Sequence, residues 1–309
     1  MNTEFFAFGE ILWDCLPRTQ HAGGAPFNVA AHLAHLGCPV ALISAVGPDA
    51  LGDEILKIAR DKGVQTRFVA RTHPELPTGT VQVAIDANGN ATYEIVRPAA
   101  WDRIVVSAEA IEAVRNARAF VFGSLACRSS ENRGELDRLL AIEGPMKFFD
   151  VNLRPPFADP ALVIELARRA DVIKLNDDEL GQLAAWLRTG RMTADTPRTA
   201  KGLGEAYAVL ANAANASRIC VTRGAEGGAL WAGGEFISVP APKVTVRDTV
   251  GAGDAFTAGL MAGLIRGMAL GEVLANACKL GAFVASQDGA TPALPEALRR
   301  RFQPDSITS

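Results

Sequence analysis

Apolar and polar positions follow two rhythms along this chain. Short apolar runs recur at Glu4–Ile11, Val40–Val46, Ala119–Leu125, Lys147–Val151, Val172–Leu175 and Ile219–Thr222. Runs of this length without a polar face predict strands covered on both sides. Segments with a helical period separate them. Pro26–Leu36 is one, with proline at the first helical position and Gly37 just past the end. Asp49 is placed to cap a helix that reaches about Lys62 and stops at Gly63. Ser107–Ala117, Asp159-Pro160 to Arg169, and Asp177–Leu187 are further helices, and two Ala- and Gly-rich helices near 252–267 and 271–286 close the pattern. Gly233-Gly234 predicts a hairpin after the strand at 219–222. Strands alternating with helices predict an α/β fold with a mostly parallel sheet.

One stretch breaks the rhythm. Arg67–Arg97 has no helical period; Val81, Val83 and Ile85 alternate with Gln82, Ala84 and Asp86, Asn88-Gly89 follows, and Thr92–Val96 resumes the alternation. Asn-Gly between alternating strands predicts a hairpin. Inserted in an α/β chain, it reads as a lid; the alternative is an edge hairpin of the main sheet. The polar, Gly-containing segment Thr189–Gly204 reads as an exposed loop.

Composition narrows the function classes. Apolar residues make up 49% of 309 positions, enough for a large core, and 31 Lys and Arg face 34 Asp and Glu for a net charge of −3. That balance offers no nucleic-acid-binding tail and no membrane-surface patch. The five cysteines (Cys15, Cys38, Cys127, Cys220 and Cys278) form no C-x-x-C pair. Their number and spacing fit a reducing compartment better than a disulfide framework or a zinc site. No signal-peptide pattern opens the sequence, and the most apolar helix, Ala255–Ile265, is too short to span a bilayer. A cytoplasmic protein is expected.

Asp248-Thr249-Val250-Gly251-Ala252-Gly253-Asp254 carries the most chemistry. Gly251 and Gly253 allow close approach of the backbone to a ligand ahead of a long helix. Unpaired N–H groups at the helix start, with the positive end of its dipole, make an anion site. Asp254 stands beside it, placed to accept a hydroxyl proton while the amides hold a phosphoryl group. The dipole is expected to lower its pKa; phosphoryl transfer tolerates a weak base because positioning dominates. The alternative is an N-capping Asp after a tight glycine turn. Neither a dinucleotide fingerprint nor a G-x-x-x-x-G-K-[ST] loop is present, since Phe256 stands where a third glycine is needed.

Asp248–Asp254 closely resembles the C-terminal signature of the ribokinase-like (PfkB) carbohydrate kinases, and Gly23-Gly24-Ala25-Pro26-Phe27-Asn28-Val29-Ala30 resembles the N-terminal one. Asp150-x-Asn152-x-Arg154, Asn176-x-x-Glu179 and Thr222-x-Gly224-x-x-Gly227 lie between them in the family's order. The resemblance spans nearly the whole chain. It implies a single three-layer α/β/α sandwich over 1–309 with a small β lid, drawn from about 67–98 and the strand around 11–16. It implies ATP as phosphoryl donor and Asp254 as base, with Gly251, Ala252 and Gly253 as the anion hole and Arg154 neutralising phosphate charge. Asp14, Gly23, Gly24, Asn28, Arg97 and Asn152 would bind the sugar. Thr222, Gly224 and Gly227 would line the nucleotide with Asn176, and Ala282 and Ser286 its adenine. Asn176 and Glu179 would organise Mg²⁺, largely through water; a capping box is the alternative for that pair. Asp248 with the carbonyls of Val250 and Gly289 would form a K⁺ site. Val250 and Ala293 depart from the family's commoner Thr and Ser, which leaves K⁺ activation open. Pairing of two lids would give a homodimer. The Gly9–Asp14 segment looks most like the family's fructokinases. Ala25 and Pro26 replace the Lys that ribokinases and phosphosugar kinases carry, so an uncharged sugar, D-fructose, is expected. A ketodeoxygluconate or nucleoside kinase, or a silent sugar-binding regulator, are the rivals.

Overall fold

The computed structural model describes residues 3–16, 19–71, 73–85, 91–189, 200–214 and 216–303. Its strands are β1 (Phe5–Phe8), β2 (Leu12–Cys15), β3 (Gln20–Gly23), β4 (Val40–Ala45), β5 (Val69–Ala70), β6 (Gly79–Ile85) and β7 (Ala91–Ile95). Then come β8 (Ala119–Gly123), β9 (Met146–Asp150), β10 (Val172–Asn176), β11 (Arg218–Thr222), β12 (Gly228–Ala232) and β13 (Glu235–Val239). The helices are α1 (Ala25–His35), α2 (Ala50–Asp61), α3 (Ala108–Arg115), α4 (Ser130–Leu140) and α5 (Pro160–Arg168). They continue with α6 (Asp177–Thr189), α7 (Ala200–Ala213), α8 (Ala252–Ile265), α9 (Leu270–Ala285) and α10 (Glu296–Arg300).

Nine strands form one sheet in the order β13-β12-β11-β10-β9-β8-β1-β4-β5. Pairing is parallel from β11 to β5; β12 and β13 run antiparallel. Alternation along each strand divides the core in two. Phe6, Phe8, Ile43, Phe120 and Phe122 face the side covered by α3 to α7. Phe5, Ala7, Val40, Leu42 and Val121 face α1, α2, α8 and α9. The fold is therefore the three-layer α/β/α sandwich expected from the sequence.

Local chemistry sets several boundaries. The Asp49 side chain accepts the Gly52 N–H at 2.8 Å and caps α2. Gly37 and Gly63 take φ of +74° and +84° where α1 and α2 end. Gly233 and Gly234, at +59° and +84°, make the tight turn between β12 and β13.

The expected hairpin is β6 and β7, paired with Val81 opposite Ile95. It does not sit on an edge of the large sheet. With β2 and β3 it makes a second sheet, ordered β3-β2-β6-β7, in which β2 and β6 are parallel. Asn88-Gly89 lies outside the described residues. Val69 and Ala70 pair with β4 in the large sheet, so of the described residues in the 67–98 stretch the small sheet takes Gly79–Ile85 and Ala91–Ile95. The elements that the sequence reading did not predict are β3, β5, α4, α7 and α10. The loop expected at Thr189–Gly204 is partly wrong, because α7 begins at Ala200; residues 190–199 lie outside the described residues. Among the described residues no helix is long and apolar enough to cross a membrane.

Candidate active site

The C-terminal ends of the parallel strands bring polar residues, Asn176 and Thr222 of the expected site among them, to one end of the sheet. Glu10 follows β1, Ser124 follows β8, Asp150 ends β9, Asn176 ends β10 and Thr222 ends β11. This is where open α/β sheets bind ligands. Glu10, Pro26, Ser124, Leu125, Asp150 and Asn152 line a crevice there, between the β1 and β8 ends.

Gly251 starts α8 with φ +78°, and a Cβ on it would meet the Ala290 carbonyl oxygen at 2.3 Å. Only glycine fits this contact. Of the three amides expected to form the anion hole, that of Ala252 donates to Thr249 O at 3.3 Å. The Gly253 and Asp254 amides lie in the first turn and have no intrahelical partner. Gly253 has a second reason to be glycine. A Cβ there would lie 3.3 Å from the Nζ of Lys174, so the close approach is also from inside the protein.

Asp254 receives a hydrogen bond from Asn28 Nδ2 on its Oδ2 at 2.8 Å. This brings the two ends of the chain, α1 and α8, together at the expected base. The dipole expectation fails: the Asp254 carboxyl is pushed up to about 6, first by burial and then by repulsion from Asp150. Asn28, Lys174 and Arg154 oppose the rise without cancelling it. Desolvation outweighs the helix terminus because protein, not water, surrounds the group. The Asn28 Oδ1 is buried and has no hydrogen-bond partner within the protein.

The acid–base environment extends to residues that sequence reasoning passed over. Glu10 is buried and its carboxyl is raised to about 7, chiefly by burial, despite Arg154 and bonds from the Glu10 and Ala25 N–H groups. Asp14, on β2, is also raised by burial, with His21 and Arg154 opposing. Arg154 is exposed and donates to Leu153 O at 3.2 Å; its charge acts on Glu10, Asp14 and Asp254 alike. Lys174 pairs with both oxygens of Asp150 at 3.1 and 3.2 Å. A charged residue inside the apolar run of β10 was the available signal for this pair, since a buried lysine needs a buried acid.

Asn176 and Glu179 form the capping box. Asn176 Oδ1 accepts the Glu179 N–H and Glu179 Oε2 accepts the Asn176 N–H, each at 2.8 Å; Glu179 Oε1 takes the Leu153 N–H at 2.8 Å. Glu179 is buried, so the pair fits contact with a metal through water rather than direct ligation. Among the described residues no three His, Cys, Asp or Glu side chains gather as a metal cage. Asp248 accepts the N–H of Val250 at 3.0 Å and of Gly289 at 3.3 Å. Each of its oxygens keeps a lone pair for a monovalent cation.

Gly23 packs against Asp14: a Cβ there would come within 2.2 Å of Asp14 Oδ2. Gly24, with φ +104°, lies against the Glu10 carbonyl. Asn152 is the one described non-glycine residue with positive φ, at 39°. Arg97 is exposed beyond β7, its guanidinium 5.6 Å from the Phe157 ring. Gly224 (φ +51°) and Gly227 (φ +95°) shape the turn after β11; a Cβ on Gly227 would strike Val239 O at 2.0 Å. Thr222 Oγ1 lies 3.5 Å from Leu175 O. Ser286 caps α9 and donates to Phe283 O at 2.6 Å, with Ala282 one turn earlier, half-buried.

A parallel sandwich that sets a glycine-led helix beside a half-buried aspartate suits phosphoryl transfer. The family model of the pfkB carbohydrate kinases matches residues 2–297, and the chain belongs to that family. A fructokinase of Rhizobium leguminosarum bv. trifolii is 30% identical over 275 residues, covering 83% of this chain and 78% of that protein. An aminoimidazole riboside kinase of Salmonella typhimurium is 30% identical over 310 residues, covering 94% and 91%. The crystal structure of a fructokinase with bound ATP from Xylella fastidiosa superposes with a TM-score of 0.81 at 26% identity, covering 98% of each chain. The molecule is thus a carbohydrate kinase with the ribokinase-like fold.

Proposed function

We propose that this kinase transfers the γ-phosphoryl group of ATP to the primary 6-hydroxyl of D-fructose. The observation that carries the reading is the Asn28–Asp254 pair beside the first turn of α8. A base with its pKa near 6 is ionised at neutral pH and still proton-seeking. Asn28 engages Oδ2 and leaves Oδ1 for the sugar hydroxyl. As the hydroxyl oxygen bonds to the γ-phosphorus, its proton passes to Asp254 and the bond to the β–γ bridging oxygen breaks, releasing ADP. The Gly253 and Asp254 amides meet the charge on the transferring group. Asp14 and the unpartnered Asn28 Oδ1 accept sugar hydroxyls, with Gly23, Gly24, Asn152 and Arg97 around them. Arg154 covers the phosphates; Thr222, Gly224 and Gly227 cradle them, and Ala282 and Ser286 flank the adenine.

Mg²⁺ would arrive with the nucleotide and neutralise its phosphates, with Asn176 and Glu179 ordering its waters. K⁺ at Asp248, with the Val250 and Gly289 carbonyls, would steady the loop facing Gly251. The small sheet acts as a lid that excludes water from the transfer. Its outer strands, β3 and β7, leave free edges for a second copy, and sedimentation mass checks the homodimer.

Fructose is supported by the fructokinase relatives and by Ala25-Pro26, which bring no cation after the paired glycines. A nucleoside substrate is the second reading, supported by the similarity to the aminoimidazole riboside kinase. The test is kcat/KM, by ATP consumption, for fructose, ribose, ketodeoxygluconate, adenosine and aminoimidazole riboside under one set of conditions. Fructose is expected to lead by at least about tenfold, or roughly 1.4 kcal/mol in transition-state binding. A smaller lead removes fructose and leaves the kinase; no turnover with any substrate favours a silent regulator.

A further inference from the structure

The anion site at the head of α8 has a buried cation behind it. Lys174 projects from β10 and is only 7% exposed. Asp150 of β9 holds its Nζ at 3.1 and 3.2 Å. Thr257, one turn into α8, donates to Asp150 Oδ2 at 2.7 Å, and its Oγ1 also lies 3.0 Å from Gly253 O. The ammonium is close enough to Gly253 that a Cβ there would be 3.3 Å from it. The first turn of α8 is thus tied from within to β9 and β10, and the fixed charge stands close to Gly253.

A buried ion pair is a poor way to stabilise a fold. Desolvating both partners is costly, and apolar residues of similar volume often serve as well. The pair also occupies a place in β10 where Val172, Ile173 and Leu175 are apolar. Its placement behind a helix terminus points to charge as its purpose. We infer that Lys174 is a positioning residue for phosphoryl transfer, the permanent counter-charge that Asp150 and Thr257 fix behind the Gly253 amide.

This rests on the proposed phosphotransfer at Asp254. Negative charge on the transferring group then meets an ammonium that need not reorient, in a region with little water to screen it. The acids facing Lys174 come from three elements: Asp150 of β9, Glu179 of α6 and Asp254 of α8. Glu10 and Arg154 interact with each other, and Arg154 with Asp254, but neither is among the groups acting on Lys174.

The rival role is that Lys174 merely neutralises Asp150. The variants Asp150→Asn, Lys174→Met and the double variant separate the two; the double variant leaves no buried charge unpaired in this pair. The measurements are kcat, KM for sugar and ATP, and the affinity for ADP with tetrafluoroaluminate in the presence of the sugar. In the Asp150→Asn background, Lys174→Met is expected to lower kcat at least about tenfold with both KM values changed less than about threefold. Affinity for ADP–tetrafluoroaluminate should fall by the same factor as kcat, while affinity for ADP alone stays. Where Asp150→Asn has no measurable turnover, the ADP–tetrafluoroaluminate affinity carries the comparison. If the double variant matches Asp150→Asn in turnover and in this affinity, or if both KM values rise as kcat falls, Lys174 has only the neutralising role. A wild-type enzyme that phosphorylates no sugar defeats the functional reading instead, so the two failures are distinct.

Discussion

Replacing Asn28 by leucine, close in size but without a donor, should move the pH dependence of catalysis in a defined direction. Asn28 Nδ2 lies 2.8 Å from Asp254 Oδ2, and its bond lowers the Asp254 pKa against burial and Asp150. A hydrogen bond to a charged group contributes about 1.5–3 kcal/mol. At about 1.4 kcal/mol per unit, that is roughly 1–2 pKa units. Asp254, at about 6 in the free enzyme, should rise to between about 7 and 8 in the variant. The base acts ionised, so a higher pKa leaves more of it protonated at a given pH and carries the acid limb of kcat/KM to higher pH. kcat/KM is the right quantity because its limbs report the free enzyme. Asn28 is also proposed to touch the sugar, so the plateau will fall too; the midpoint of the limb is independent of that uniform loss. An active Asn28→Leu enzyme whose acid limb coincides with that of wild type would refute the reasoning, either about the bond or about Asp254 as the titrating group.

Further outcomes follow from other contacts in the structure. Asp254→Asn should lose about 10²–10⁴ in kcat with sugar binding kept. The same variant should be more stable at neutral pH: the folded pKa of about 6 exceeds the ordinary 3.8, so ionising Asp254 costs up to about 3 kcal/mol above pH 6 and nothing well below pH 4. A thermal shift that is positive at pH 7 and vanishes in acid checks this. Gly251→Ala should lose both stability and turnover, since its Cβ meets the Ala290 backbone at φ +78°, a strain of about 1–3 kcal/mol. Gly23→Ala should leave the melting temperature nearly unchanged but raise KM for sugar, because its Cβ displaces only the carboxylate end of Asp14. Asp102→Ala should destabilise by about 3–5 kcal/mol, leaving the buried Arg128, now held at 2.7 Å, without its carboxylate; denaturant unfolding measures it.

The sequence displayed those parts of the fold that local rules govern. Asp49, Gly37 and Gly63 mark helix ends by chemistry that needs no tertiary context, and the alternation from Gly79 to Ile95 needs only its own period. β3 reads Gln-His-Ala-Gly and has no apolar signal, because it pairs at an exposed edge. α4 has its buried leucines only in its second half, behind Ser-Glu-Asn-Arg-Gly-Glu. The motif glycines and Asp254 were visible as a pattern, but the state of Asp254 was not. Its pKa depends on Asp150, Asn28, Lys174 and burial, which reach it from 80 to 226 residues away in the chain, and the helix dipole was the one local influence in view. Glu10, Lys174 and Thr257 were missed, and Asp150 was seen only as part of a motif; they meet only once β1, β9, β10 and α8 have assembled.

The small sheet is composed of pieces rather than of a segment. The β2–β3 and β6–β7 pairs come from two stretches of chain, and the parallel β2–β6 contact joins them across the intervening α1, β4, α2 and β5. Such non-local closure comes late in folding and opens early. Asp14, which rides on β2, therefore belongs to the last part of the molecule to take shape, whereas Asp254 stands in the first turn of α8, whose following residues are buried in the core. On the proposed function, the side of the cleft that takes the sugar opens with the small sheet while the side that takes the phosphates stays folded. Amide exchange should record this as a boundary running through the active site, between Ile11 and Leu12.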